Sequence, residues 1–89
     1  MELSTAINQA SKIVILQVRG DGLAGVSVSW IIDEVEVTQA QAFAEFTHVD
    51  ANRVIFDSYT NKFYEKYGFK NKRVREIAYL KNNILFISL

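Results

Sequence analysis

The C-terminal segment contains two apolar, β-forming runs separated by Asn82 and Asn83. The first run covers residues 74–81 and the second covers residues 84–89. A type I′ turn requires positive φ at both central residues, and asparagine tolerates that backbone region. The sequence therefore predicts a two-residue β-hairpin, and this turn fixes which residues lie opposite each other in the two strands.

The predicted register gives this hairpin two apolar faces. One face carries the residues that we expect in the core, which are Ala78, Leu80, Leu85, Ile87 and Leu89. On the other face Tyr79 lies opposite Phe86, Lys81 opposite Ile84, and Ile77 opposite Ser88. This second face needs a cover, either another helix or a second copy of the chain. We therefore predict that Tyr79, Ile84 and Phe86 form a partner-binding surface.

The N-terminal part predicts one helix and a second hairpin. Leu3, Ile7 and Ala10 have helical spacing, which favours a helix over residues 3–11. The continuous β-branched run at residues 13–18 is typical of a strand covered on both faces. After a glycine-rich loop at residues 20–25, the sequence alternates in polarity and predicts a strand that continues towards Val37, antiparallel to the first.

A helix start is predicted at Thr38, because Gln41 three residues later completes a capping-box pattern. This helix is expected to extend to about Val49, with Phe43, Phe46 and Val49 on its buried side.

The following stretch, residues 50–69, allows two interpretations. The spacing by four of Ile55, Tyr59, Phe63 and Tyr67 favours one continuous helix, which is the interpretation we prefer. The alternative is a short strand at residues 53–56 followed by a helix at residues 60–67.

Together these elements predict an α+β fold in a single domain over residues 1–89. We expect an antiparallel sheet of about four strands, made by the N-terminal and C-terminal hairpins, with two or three helices packed on one face. A domain of this size buries only about two-thirds of the surface of its unfolded chain, so self-association is a natural way to bury more.

Charge is segregated along the chain although the net charge is zero. Residues 1–57 carry three basic and eight acidic side chains, a net −5, whereas residues 58–89 carry seven basic and two acidic side chains, a net +5. Such polarity favours head-to-tail self-association or a partner that contacts one end; the alternative is a solvated surface with segregated signs.

Cysteine is absent, which excludes disulfides and thiolate metal sites and suits a cytoplasmic location. The N-terminus shows no signal-peptide pattern, and no apolar run is long enough to span a bilayer. We therefore expect no contact with a membrane.

No residue pattern indicates catalysis. His48 is the sole histidine and has neither a cysteine nor a second histidine with which to form a dyad or a metal site. Asp33, Glu34 and Glu36 are better explained as a charged strand edge that resists unwanted pairing than as an acid/base pair. The glycines at residues 20–25 lead into a strand, so they predict a turn and not a phosphate loop. We expect no enzymatic activity, no catalytic residue, no metal and no cofactor.

Residues 62–75 combine cations with aromatic side chains. Such a segment can bind phosphates through Lys70, Lys72, Arg73 and Arg75, and it can stack bases on Tyr64, Tyr67 or Phe69. An acidic protein surface is an equally reasonable ligand for the cations. The same aromatic residues also have spacings that suit a core, so the sequence leaves their role open. The neutral net charge argues against nucleic acid, because nucleic-acid-binding domains are usually basic.

Residues 62–70, with the sequence Lys-Phe-Tyr-Glu-Lys-Tyr-Gly-Phe-Lys, resemble a segment near the end of GNAT-type acyl-CoA N-acetyltransferases. The resemblance implies a helix carrying Phe63 and Tyr64, followed by a closing pair of strands, with Tyr64 near the cofactor sulfur as a general acid. The family's glycine-rich pyrophosphate loop has no counterpart here, and the chain is too short for the full fold. The resemblance therefore implies at most an acyltransferase-like remnant that binds acetyl-CoA.

The sequence thus predicts a small non-enzymatic protein-interaction module of the accessory, inhibitor or regulatory type, as often encoded by phages. We expect it to self-associate as a homodimer or larger assembly. The alternative function is a nucleic-acid-binding module that uses residues 62–75.

Overall fold

The computed structural model describes residues 1–21 and 29–88, and within these ranges it contains two α-helices, six strands and two short 3₁₀ turns, at Ala51–Arg53 and Phe69–Asn71. In chain order the α-helices and strands are α1 (Leu3–Gln9), β1 (Lys12–Asp21), β2 (Ser29–Val37), α2 (Gln39–Glu45), β3 (Val54–Asp57), β4 (Lys62–Tyr67), β5 (Arg73–Lys81) and β6 (Ile84–Ile87). The strands form one sheet in the order β2-β1-β6-β5-β4-β3. All neighbouring strands are antiparallel except β1 and β6, which are parallel.

The predicted sheet of about four antiparallel strands with two or three helices is therefore wrong. Both terminal hairpins form as predicted, but β1 joins β6 in parallel. This pairing places Ile13 beside Leu85 and Ile15 beside Ile87, so the two hairpins share one apolar core. The parallel pair makes the sheet mixed.

The interpretation of residues 50–69 as a continuous helix is also wrong, because this stretch forms β3 and β4. The alternative was correct for a strand at its start and wrong for the helix that follows. Side chains four residues apart share a face in a strand as well as in a helix, so the aromatic spacing fits both structures. Asp57 accepts a bond from the Tyr59 amide at 2.9 Å, and Asn61 has a φ of 57°, so a turn separates the two strands.

The predicted turn at Asn82 and Asn83 is confirmed, with φ values of 51° and 63°. The predicted pairs Leu80 with Leu85, Ala78 with Ile87, Tyr79 with Phe86 and Lys81 with Ile84 are all present. Leu89, which we predicted in the core, lies outside the described residues.

Ile77 departs from the predicted register. The pairing of β4 with β5 moves from Phe63–Ala78 to Tyr64–Glu76, so Ile77 is an extra residue in β5. Such a bulge turns the strand locally. Ile77 consequently lies in the core together with Ala78, and not on the opposite face as predicted. It does lie beside Ser88 as predicted, because the Ser88 amide donates to the Ile77 carbonyl at 2.9 Å.

The capping box that begins α2 is confirmed. The Gln41 amide donates to Thr38 Oγ1 at 3.2 Å, and the Thr38 amide donates to Gln41 Oε1 at 2.9 Å. The helix ends at Glu45, earlier than predicted, and Phe43 is exposed where we expected it to be buried. Phe46 does pack in the core.

Both helices lie on one side of the sheet, where Ile7 of α1 and Ala42 of α2 join the core. The sheet contributes mainly from β1, β4, β5 and β6, through Ile13, Phe63, Ile77, Ala78, Leu85 and Ile87. The predicted glycine-rich turn falls mostly outside the described residues, although Gly20 and Asp21 belong to β1.

Candidate functional site

The side of the sheet opposite the helices, which we call the open face, carries no helix within the described ranges. Strand alternation places on it every second residue of β1, β2 and β6. Its apolar members are Val14, Leu16, Val18, Ile32, Ile55, Tyr64, Val74, Tyr79, Ile84 and Phe86.

The three residues that we predicted to bind a partner lie together near the centre of the open face. The rings of Tyr79 and Phe86 stack with centroids 4.7 Å apart and an interplanar angle of 13°. Ile84 is adjacent, between Lys12 of β1 and Lys81 of β5. All three are half-buried, and beside Phe86 lies Val14, which is buried on the open face, outside the core cluster that packs against the helices.

The open face extends further than the sequence indicated. Val18 and Ile32 pair across β1 and β2, and each is 63% exposed. Ile55 and Val74 are exposed on the β3 to β5 side. The sequence signal for β1 was present in the alternation of Val14, Leu16 and Val18, but a continuous β-branched run suggested cover on both faces.

The open face carries charged side chains on both of its flanks, which are the β2 side and the β4 side of the sheet. Two ion pairs lie within it, Lys12–Glu36 at 3.8 Å and Lys62–Glu76 at 3.3 Å. Glu34 on the β2 flank and Lys66 on the β4 flank have no ion-pair partner among the described residues. Glu34 and Lys66 therefore lie on opposite sides of the apolar centre, and Asp57 at the β3 edge accepts a hydrogen bond from the Tyr59 amide.

The acidic run that we interpreted as a protective strand edge does lie at an edge, because β2 is the outermost strand. Glu34 and Glu36 are exposed there. Edge pairing of two β2 strands would bring these like charges together, which disfavours it.

A second surface is the turn between β4 and β5, residues 67–73, which we call the basic tip. Phe69 is 81% exposed, and Tyr67 is also exposed. The Lys70 ammonium lies 5.4 Å from the centroid of the Phe69 ring. Backbone bonds from Asn71 to Gly68 and from Lys72 to Phe69 close the turn. The tip therefore holds its aromatic and basic groups on an ordered backbone.

The predicted phosphate-binding residues divide into two groups. Lys70, Lys72 and Arg73 are exposed and have no ion-pair partner within the part of the chain that the structure describes. Arg75 instead donates from Nε and Nη2 to Glu65 Oε1, at 2.9 and 2.6 Å. Glu65 neutralises Arg75, so the available positive charge is concentrated in the basic tip.

The predicted stacking residues also divide. Tyr64 is half-buried on the open face, whereas Tyr67 and Phe69 lie in the basic tip. Phe63, which belongs to the same aromatic segment, is fully buried in the core. Residues 62–75 thus contribute to the core and to both surfaces.

Gly68 follows strand β4 and begins the turn of the basic tip, with φ of 81° and ψ of −170°. Side chains with a Cβ are essentially excluded from this region, at a cost of about 1–3 kcal/mol. We expect Gly68→Ala to lower the free energy of unfolding by about that amount in urea denaturation. Asn71→Ala, at φ 52° in the milder left-handed region, is the comparison and should cost about 1 kcal/mol. An unchanged midpoint for Gly68→Ala would contradict this backbone geometry.

The helix that the acyltransferase resemblance implies for Phe63 and Tyr64 is wrong, because residues Lys62–Tyr67 form strand β4. Among the residues that the structure describes, a cleft of about 370 Å³ beside α1 and α2 is lined mainly by apolar groups, and Glu2 is the only titratable side chain in that lining. In residues 1–21 and 29–88 no three histidine, aspartate or glutamate side chains gather as metal ligands. None of the described helices is both long and apolar enough to cross a bilayer.

Comparison with known proteins adds no relative, since no family model, curated protein or solved structure matches this chain.

Proposed function

We propose that this chain is a non-enzymatic protein-interaction module that binds a second copy of itself through the open face. The observation that carries the proposal is the Tyr79–Phe86 stack with Ile84 beside it, on a side of the sheet that no described helix covers. Contiguous apolar surface of this kind is typical of interaction sites.

The size of the open face suits a dimer. Six strands spaced by about 4.8 Å are about 24 Å wide, and the longer strands are about 30 Å long, which gives at most about 700 Å². A standard interface buries about 800 Å² of accessible surface on each partner, and side-chain relief makes accessible area larger than planar area.

The charges suit a two-fold arrangement better than an edge-to-edge one. A two-fold axis along β6 brings the Glu34 flank of one copy over the Lys66 flank of its partner. Opposite charges then meet on both flanks of the apolar centre, whereas Lys12, which is paired with Glu36, lies over the Lys81 of the second copy. The proposal includes a cytoplasmic location, which the absence of cysteine supports.

Ile84→Glu tests the apolar centre. In the single chain the new carboxylate lies between Lys12 and Lys81, so we expect the fold to persist. Both copies lose about 1 kcal/mol of apolar burial, so the dimer Kd should rise about 30-fold or more. Sedimentation velocity measures the Kd, and far-UV circular dichroism checks the fold. Phe43→Glu, an exposed aromatic on α2, is the matched control and should leave the Kd unchanged.

A charge exchange tests the arrangement of the flanks. Glu34→Lys and Lys66→Glu should each weaken the dimer, and the double variant should restore it, because the exchange recreates both contacts. Interfaces of standard size have dissociation constants from about micromolar to picomolar. A wild-type protein that is still monomeric at about 100 μM, well above this range, therefore overturns the proposal. Double-variant weakening equal to the sum of the single effects rejects the two-fold arrangement.

A further inference from the structure

We infer that the basic tip, residues 67–73, binds single-stranded nucleic acid, with Phe69 and Tyr67 stacking on bases and Lys70, Lys72 and Arg73 contacting phosphates. This surface is separate from the open face, and the inference does not depend on self-association.

The basic tip carries positive charge that no nearby acidic residue compensates. No acidic residue occurs between Glu65 and Glu76, and Arg75 is already neutralised by Glu65. The remaining cations of the tip are exposed and lack ion-pair partners within the described residues. Phosphates are the natural ligand for such a group, because each contact releases condensed counterions.

The aromatic side chains of the basic tip are exposed, which favours nucleic acid over an acidic protein as the ligand. Phe69 is 81% exposed, and Tyr67, two residues earlier in the chain, is 40% exposed. Flat rings exposed next to cations match a nucleotide, which presents a base and a phosphate together. The Lys70 ammonium lies over one face of the Phe69 ring, which leaves the opposite face for a base and keeps the cation near the phosphate of that nucleotide.

The backbone of the basic tip forms an ordered turn. Lys70 and Asn71 both have positive φ, at 55° and 52°, and the turn is closed by two backbone hydrogen bonds. A lysine in the left-handed region is uncommon and carries a conformational cost. The backbone that carries the Phe69 and Lys70 side chains is therefore already ordered before a ligand binds. Binding then costs little additional backbone entropy.

Single strands are favoured over duplex because bases in a duplex are already stacked on each other. Exposed rings gain base contacts only when the bases are accessible.

Fluorescence anisotropy with a labelled 20-nucleotide oligo-dT and with an RNA of equal length tests this inference on the full chain, at about 50 and 200 mM salt. We expect salt-sensitive binding to at least one of them. Phe69→Ala should weaken binding about tenfold or more with the salt slope unchanged, because it removes stacking alone. Lys70→Gln combined with Lys72→Gln should reduce the slope of log K against log salt by about 1.4, since each single-strand phosphate contact contributes about 0.7.

The matched control is Lys12→Gln combined with Lys81→Gln, which removes the same charge at the opposite end of the sheet. It should leave the slope nearly unchanged. The inference is overturned by an absence of binding at about 50 mM salt, where phosphate contacts are strongest. Equal loss of affinity in the control, or equal affinity for poly-glutamate or anionic vesicles, also overturns it, because either result shows nonspecific charge binding.

Discussion

Phe63→Ala is expected to remove about 3–5 kcal/mol from the free energy of unfolding. Phe63 is fully buried on β4, between Phe56 of β3 and Ala78 of β5, and its ring centroid lies 4.7 Å from that of Phe56. Truncation leaves a cavity at the junction of three strands. A domain of 89 residues has about 4–13 kcal/mol of stability, so the variant loses at least about a quarter of it and unfolds if the wild type lies at the low end of this range.

Urea denaturation followed by far-UV circular dichroism measures this loss. Phe63→Leu should cost about 1–1.5 kcal/mol and keeps the test informative if the alanine variant does not fold. Phe69→Ala is the matched control, because it truncates the same side chain where it is mostly exposed, and it should cost less than about 0.5 kcal/mol. Equal losses at the two positions would show that Phe63 does not occupy the core.

Arg75→Leu is expected to cost about 2–3 kcal/mol, because it leaves the Glu65 carboxylate buried without a counter-charge. Glu65 is 7% exposed and accepts both described bonds from Arg75. Loss of one partner from a buried ion pair costs about 3–5 kcal/mol, and the half-exposed guanidinium reduces this value here.

A double variant separates the penalty of an unpaired carboxylate from loss of packing. Glu65→Leu with Arg75→Leu should be within about 1 kcal/mol of the wild type, since no buried charge remains. Arg53→Leu removes an arginine from the exposed Asp50 pair, at 3.6 Å, and should cost less than about 1 kcal/mol. Equal denaturation midpoints for Arg75→Leu and Arg53→Leu would mean that Glu65 finds solvent or another partner.

Several features of the fold could be predicted because they depend on neighbours in sequence. The Asn82–Asn83 turn and its register follow from backbone preferences at two residues. The capping box follows from two side chains three positions apart. The hairpin of β1 and β2 follows from two β-forming runs with a glycine-rich connection.

The candidate surfaces were predictable only in part. The cross-strand pair of Tyr79 and Phe86 follows from the turn, and so does the position of Ile84 near it. The sequence did not distinguish the roles of the aromatic segment, because Phe63, Tyr64 and Phe69 have similar chemistry and differ only in which surface their strand or turn presents. In the sequence Arg75 does not differ from the other cations of this segment, and only its contact with Glu65 in the structure sets it apart.

The sequence by itself determined the closing hairpin, the two apolar faces of that hairpin and the segregation of charge along the chain. Only the tertiary structure decided that β1 joins β6 in parallel, that residues 54–67 add two strands, and that Ile77 enters the core at a bulge. These outcomes depend on contacts between residues up to about 70 positions apart, and local preferences do not select among such pairings. Within residues 1–21 and 29–88 no helix lies over the open face, because both short helices pack on the other side of the sheet.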